Sequence, residues 1–185
     1  MNEIRFHGRG GQGVVIASKI LASALAREGK YVQAFPLFGG ERRGAPVRAF
    51  TRVDDKPILI RSNIYKPDFV VVLDSSLLKA EDVTAGLKTD GQILINTEKG
   101  LDELTALGGF RVATVDANKI AQENRLGSRN APIVNTAILG AFARVSNLVK
   151  VNSVLDSLGE YVHQKVIESN RKAIIEAFDQ INVLR

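Results

Sequence analysis

Apolar and polar residues alternate over Asn2–His7, with Ile4 and Phe6 on one face, which predicts a short strand. From Val14 the pattern changes. Val14-Val15-Ile16-Ala17, Ile20-Leu21-Ala22 and Ala24-Leu25-Ala26 leave few polar positions, mainly Ser18, Lys19 and Ser23, before Gly29. A helix that is apolar around most of its circumference packs on more than one side. Gly29 suits its C-terminal stop. Tyr31–Phe35 follows as a second strand, so residues 2–35 read as a βαβ unit.

Further along, Phe38–Pro46 holds three glycines and a proline and precludes regular structure. Val47–Val53 alternates, Asp54-Asp55-Lys56-Pro57 turns and Ile58-Leu59-Ile60 returns, so residues 47–60 read as an inserted β-hairpin. Asp68–Leu73 ends in an unbroken apolar run, the pattern of a buried parallel strand. A helix capped by Asp74-Ser75-Ser76 is expected to run to about residue 87, with strands at Gln92–Asn96 and Arg111–Val115. Asp116 or Asn118 is placed to cap a helix to about residue 126, and Pro132 to open one running to about residue 148. Ile167, Ile174, Phe178 and Ile181 mark one face of a last, amphipathic helix. The expected fold class is α/β: a Rossmann-like, doubly wound, mainly parallel sheet with an inserted β-hairpin. At 185 residues, without repeat or linker, residues 1–185 read as a single domain.

Composition narrows the chemistry. With no cysteine, the chain has neither disulfides nor thiolates to hold an iron–sulfur cluster. Its two histidines, His7 and His163, cannot build a multi-histidine metal site. No stretch is long enough to span a membrane and no signal peptide is visible, so the expected location is cytoplasmic. The net charge of +5 is unevenly spread. Residues 1–66 carry twelve Lys and Arg against five Asp and Glu, whereas residues 67–185 carry thirteen against fifteen. A basic N-terminal part attracts phosphates or an acidic protein. Nucleic acid fits less well, because the aromatics are few and not interleaved with the basic residues.

The strongest candidate site is Gly8-Arg9-Gly10-Gly11-Gln12-Gly13, set between the first strand and the first helix. Glycines there let backbone N–H groups approach a phosphate at a helix N-terminus. A dinucleotide fold also places Asp or Glu at the end of its second strand, to hold a ribose hydroxyl. Here Gln33–Gly40 contains no carboxylate, and Glu41 leads straight into Arg42-Arg43. An NAD site is therefore disfavoured, although arginines leave NADP conceivable. His7, Asp74, Asn96 and Asp116 lie at the expected carboxyl ends of strands but form no catalytic set. His7 reads as bonding a backbone carbonyl, and the two aspartates as caps or supports.

Two longer runs carry a resemblance. Gly8–Val15, together with Phe35-Pro36-Leu37-Phe38-Gly39-Gly40-Glu41-Arg42-Arg43-Gly44-Ala45-Pro46-Val47-Arg48-Ala49-Phe50, resembles the gamma subunit of 2-oxoacid:ferredoxin oxidoreductases. Asp68–Asp74 and Asn135–Phe142 fit the same family, over nearly the whole chain. The Gly-Glu-Arg-Arg-Gly-Ala-Pro run is closest to the pyruvate and 2-oxoisovalerate branch. The resemblance implies a reaction in which a 2-oxoacid, coenzyme A and oxidised ferredoxin give acyl-CoA, carbon dioxide and reduced ferredoxin. It places thiamine diphosphate and the iron–sulfur clusters on alpha, beta and delta subunits, with this chain a gamma subunit that is inactive alone. The implied role is to shape the coenzyme A site and brace the complex. Gly8, Arg9, Gly10, Gly11, Gln12 and Gly13 would face phosphate. Arg42 and Arg43 would contact phosphate or partner carboxylates, Glu41 would orient them, and Asn135 and Thr136 would offer donors. Two alternatives stay open: a purely structural subunit, or a free-standing NAD(P)-dependent oxidoreductase.

Overall fold

The computed structural model of the chain describes residues 1–37, 44–100, 104, 107 and 109–183. A seven-stranded sheet organises them, in the order β2-β3-β1-β4-β5-β6-β9. Its strands are β1 (Asn2–Arg9), β2 (Tyr31–Leu37), β3 (Pro46–Asp54), β4 (Phe69–Val72), β5 (Gln92–Asn96), β6 (Arg111–Val115) and β9 (Asn182–Val183). β1, β4, β5 and β6 pair in parallel, while β3 runs antiparallel to both β1 and β2, and β9 antiparallel to β6. The expected α/β class with a mainly parallel sheet is what forms, and antiparallel β3 and β9 make that sheet mixed.

The two faces are covered unequally. Helices α1 (Val14–Arg27), α3 (Ala117–Glu123), α4 (Ala137–Ser146), α5 (Val151–Ser157) and α6 (Ile167–Asp179) share one core with Ile4, Phe6, Val71, Leu73, Leu94, Ala113 and Val115 of the sheet. The second face carries a smaller core, built on Val70, Val72, Ile93, Ile95 and Val112, under the four-residue helix α2 (Leu77–Ala80) and irregular chain. Toward β1, β2 and β3 that face is polar: Glu3 stands opposite Arg52 and His7 opposite Arg48.

Helix α1 is as buried as its sequence requires, with Ala17, Ile20, Leu21, Ala24 and Leu25 fully inaccessible. Its end is a Schellman motif, in which Lys30 N–H donates to the Leu25 carbonyl and Gly29 N–H to that of Ala26. Asp116 caps α3 by accepting from the Lys119 N–H. The amphipathic C-terminal helix is α6, with Ile174 buried, although Ile181 lies beyond its end.

Four local expectations are corrected. β2 does not lie beside β1, because β3 intervenes. The hairpin expected at 47–60 does not form: β3 ends at Asp54, and Ile58–Ile60 is irregular. Pro57 has no N–H to donate, and the carbonyls of Ile58 and Ile60 accept instead from the Gln33 side chain. The helix expected after Asp74 is only α2, since Glu81 is drawn to His7 and Arg48, and Asp82 turns the chain by accepting from Thr84. Pro132 does not open α4. It pairs with Gly127 in a small hairpin of β7 (Gly127–Ser128) and β8 (Ala131–Pro132), and α4 starts at Ala137.

Candidate functional site

The chain leaves β1 toward β2 and β3 on one side, and β4 starts the other half of the sheet. The carboxyl ends of β1 and β4 therefore flank the switch point at which open α/β sheets bind ligands. The glycine turn sits there, between β1 and α1. Gly13 adopts φ 75°, a left-handed conformation, as the N-cap of α1, and no side chain caps the helix. The first intrahelical bond runs from Ala17 N–H to the Gly13 carbonyl. The N–H groups of Val14, Val15 and Ile16 have no partner among the described residues, which makes this helix end an anion-attracting terminus.

Gln12 and Arg9 brace the turn. Gln12 Oε1 accepts from Arg9 N–H at 2.7 Å, and Gln12 Nε2 donates to Asp74 at 2.9 Å. The Arg9 guanidinium bonds Ser76 Oγ and the Gly44 carbonyl and lies 3.3 Å from Asp74. Burial raises the Asp74 pKa, but bonds from Ser76 and Gln12 and the Arg9 charge outweigh it and hold the carboxyl below its ordinary value. Gly10 exchanges backbone bonds with Ala45 and Gly44, which fixes the residues following Arg42-Arg43 beside the turn. Glu41, Arg42 and Arg43 themselves lie outside the described residues.

Asn135, just before α4, reaches the same place. A Cβ built on Gly13 would run into its carboxamide. Asn135 is 7 % exposed, and its side chain has no hydrogen-bond partner among the described residues. Thr136 faces the other way: its hydroxyl donates to Asn170 Oδ1 at 2.6 Å and ties α4 to α6. So the structure gathers Gly8–Gly13 and Asn135 at one point, and turns Thr136 into the helical layer.

His7 does not bond a backbone carbonyl. Its Nε2 accepts from Arg5 Nε at 2.9 Å, which puts the ring proton on Nδ1, 3.0 Å from Glu81. Burial, opposed by the Glu81 bond, lowers the His7 pKa to about 4, so the ring is neutral. Glu81 also takes Arg48; burial raises its pKa, but those two bonds outweigh burial and lower it. Sequence reading missed this cluster, although Arg48 at a polar position of an alternating strand was its signal. Asn96 is spent on the Leu73 carbonyl and Asn118. Among the described residues no group of His, Asp or Glu could hold a metal ion, and no helix is long and apolar enough to cross a membrane.

Residues 3–180 match the family described as pyruvate ferredoxin/flavodoxin oxidoreductase. The chain is 58% identical, over 97% of both sequences, to the pyruvate/ketoisovalerate oxidoreductases common subunit gamma of Thermococcus kodakarensis. It is 50% identical to pyruvate synthase subunit PorC of Methanocaldococcus jannaschii, over 98% of this chain and 97% of that one. The crystal structure of pyruvate oxidoreductase subunit PORC from Thermotoga maritima superposes with a TM-score of 0.85 at 37% identity, covering 100% of this chain and 98% of that one. A 2-oxoglutarate:ferredoxin oxidoreductase from Magnetococcus marinus, solved with 2-oxoglutarate, coenzyme A and succinyl-CoA bound, shares the fold with a TM-score of 0.75 at 19% identity. It covers 95% of this chain and 30% of that one.

Proposed function

Because the chain belongs to the pyruvate ferredoxin/flavodoxin oxidoreductase family as a gamma-type subunit, we propose that it supplies one wall of the coenzyme A site in an enzyme that converts a 2-oxoacid to acyl-CoA. Carbon dioxide leaves, and the two electrons released reduce ferredoxin. The carbon chemistry and electron transfer belong to thiamine diphosphate and iron–sulfur clusters on alpha, beta and delta subunits. A chain without cysteine has no thiolate for such a cluster. What this chain does is bind and orient.

The observation that carries this reading is the carboxamide of Asn135, which has no hydrogen-bond partner among the described residues and lies against the uncapped N-terminus of α1. Among the described residues no buried side-chain nitrogen or oxygen lacks a partner, so the polar atoms of this carboxamide are open at the turn, where a ligand can reach them. A phosphate oxygen would accept from Asn135 Nδ2 and from the free N–H groups of α1 together. Arg9 and Gln12 hold the turn in shape rather than reach outward. Arg42 and Arg43, which precede the fixed Gly44, would add charge to the coenzyme's phosphates or pair with partner carboxylates, with Glu41 orienting them. Coenzyme A needs no acid for a ribose 2′-hydroxyl, and none stands at the end of β2. The free-standing NAD(P) reading loses support on the same ground. It loses more because β3 separates β2 from β1, so the end of β2 is one strand further from the turn.

The test uses the assembled enzyme. Asn135→Asp, which sets a carboxylate against phosphate, is expected to raise the KM for coenzyme A about tenfold, the loss of one charge-assisted bond. Subunit composition and KM for the 2-oxoacid should be unchanged. Arg42→Ala with Arg43→Ala should shift the same constant. An unchanged coenzyme A constant in both variants sinks the ligand role and leaves a structural subunit.

A further inference from the structure

The second sheet face, away from the helices, carries a feature that the coenzyme A reading does not use. Residues 56–67, Lys-Pro-Ile-Leu-Ile-Arg-Ser-Asn-Ile-Tyr-Lys-Pro, cross this face as an irregular strap. The strap is held from below. Gln33 Nε2 donates to the carbonyls of Ile58 and Ile60, at 3.2 and 3.1 Å. Arg52 Nη2 donates to the carbonyl of Ser62 at 2.8 Å, and Arg52 is itself buried and fixed by Glu3 and Gln33. Between the two tethered carbonyls Leu59 stands 89 % exposed. A leucine on a loose loop can fold back onto the protein, whereas this one is pinned outward.

Its surroundings extend the patch. Gln33 lies on β2 between Tyr31 and Phe35, on the face that also carries Leu37, and Tyr31, Leu37 and Ile60 are all exposed. β2 is the terminal strand of the sheet, and one side of its backbone is unpaired among the described residues. Exposed apolar side chains beside the terminal strand of a sheet are what a lone protein avoids and an assembled one covers.

Charge selects the occupant. The strap contains Lys56, Arg61 and Lys66 and no acid. A second copy of this chain meeting it by two-fold symmetry would set cations against cations. An apolar pocket rimmed by Asp and Glu fits. We propose that this strap and the adjoining edge of β2 form the surface by which the chain docks onto a different subunit of the oxidoreductase, with Leu59 as the anchor in an acid-rimmed apolar pocket. The inference rests on the reading that the chain works within a multi-subunit enzyme.

The experiment uses the complex. A photo-crosslinking residue is placed at position 59, and the crosslinked peptides are identified by mass spectrometry; in parallel, Leu59→Asp is carried in the complex. Crosslinks to another chain of the enzyme, at a segment flanked by Asp or Glu, are expected. Leu59→Asp should lower the ratio of that chain to this one in the purified complex about tenfold, as loss of an anchoring side chain does. It should leave the melting temperature of this chain unchanged, since the side chain touches little of it. Crosslinks confined to this chain or a second copy, or no crosslinks, overturn the proposal, as does an unchanged composition with Leu59→Asp. The coenzyme A constant reports separately on the glycine turn: a failed Asn135 test with a position-59 crosslink to another subunit removes the ligand reading and leaves the docking surface standing.

Discussion

Arg52 is among the largest side chains the fold hides, at 1 % exposure. All three guanidinium nitrogens are used, on Glu3, Gln33 and the Ser62 carbonyl, and its Cζ lies 5.5 Å from the Phe35 ring centroid. A buried pair broken on one side leaves an uncompensated charge, so the loss exceeds what the pair contributes against an apolar replacement. Arg52→Ala is expected to lower unfolding free energy by about 3–5 kcal/mol in denaturant titration, with Glu3 stranded. A loss below about 1 kcal/mol would show that solvent reaches Glu3 and the strap freely. Arg52 was visible in the sequence only as one polar position of an alternating strand. Its burial depends on a strap that the alternation pattern assigned to a hairpin.

Among elements, the contact of α4 with α6 decides where Asn135 sits. Gly140 is the point of closest approach: a Cβ there would run into the Ile174 carbonyl on α6. The hydroxyl of Thr136 and the amide of Asn170 close the same contact one turn earlier. Gly140→Ala should push the helices apart and cost about 1–3 kcal/mol, the range for overpacking. It should also raise the coenzyme A KM of the complex, because α4 carries the segment that places Asn135 over Gly13. Destabilisation without a change in that constant would mean that Asn135 is positioned independently of α4. The same pairing explains why Pro132 does not start a helix. The chain between α3 and α4 must first cross from one helix to the next, and the hairpin β7–β8 makes that crossing.

For the whole molecule, the second sheet face joins elements through charge. Arg5, His7, Arg48 and Glu81 link β1 and β3 to the chain after α2, and Arg5 Nη2 also donates to the carbonyls of Val83 and Ala85. His7 has a pKa of about 4 in the folded chain, below the ordinary 6.5. Between those values the unfolded chain binds the proton and the folded one does not. Stability is therefore complete above pH 6.5 and is lost as pH falls toward 4, by about 3 kcal/mol at 1.36 kcal/mol per unit. Glu81, whose pKa is lowered, adds a further loss in the same direction, below the ordinary carboxylate value of 4.5. Unfolding free energies measured from pH 7 to 4 should show this slope, and His7→Gln should flatten the part above pH 4.5. An identical slope in the variant would place the proton uptake elsewhere.

The sequence by itself determined the elements whose partners are local or generic. The alternation at Ile4 and Phe6, the all-round apolar α1, its stop at Gly29 and the apolar runs of β4 and β5 each state their own structure, because period and burial are written in consecutive residues. The glycine turn was legible for the same reason. Tertiary structure decided what depends on residues far apart in the chain. Insertion of β3 between β2 and β1, the tethering of Ile58–Ile60 by Gln33, the meeting of His7 with Glu81 and the placing of Asn135 over Gly13 all join segments with no shared local pattern. A side chain's chemistry is fixed by its type, but whether its hydrogen bonds are spent on the protein or left for a ligand depends on what the fold sets against it. Thr136 and Asn135 are adjacent in sequence: one is spent on Asn170, and the other is left open at the turn.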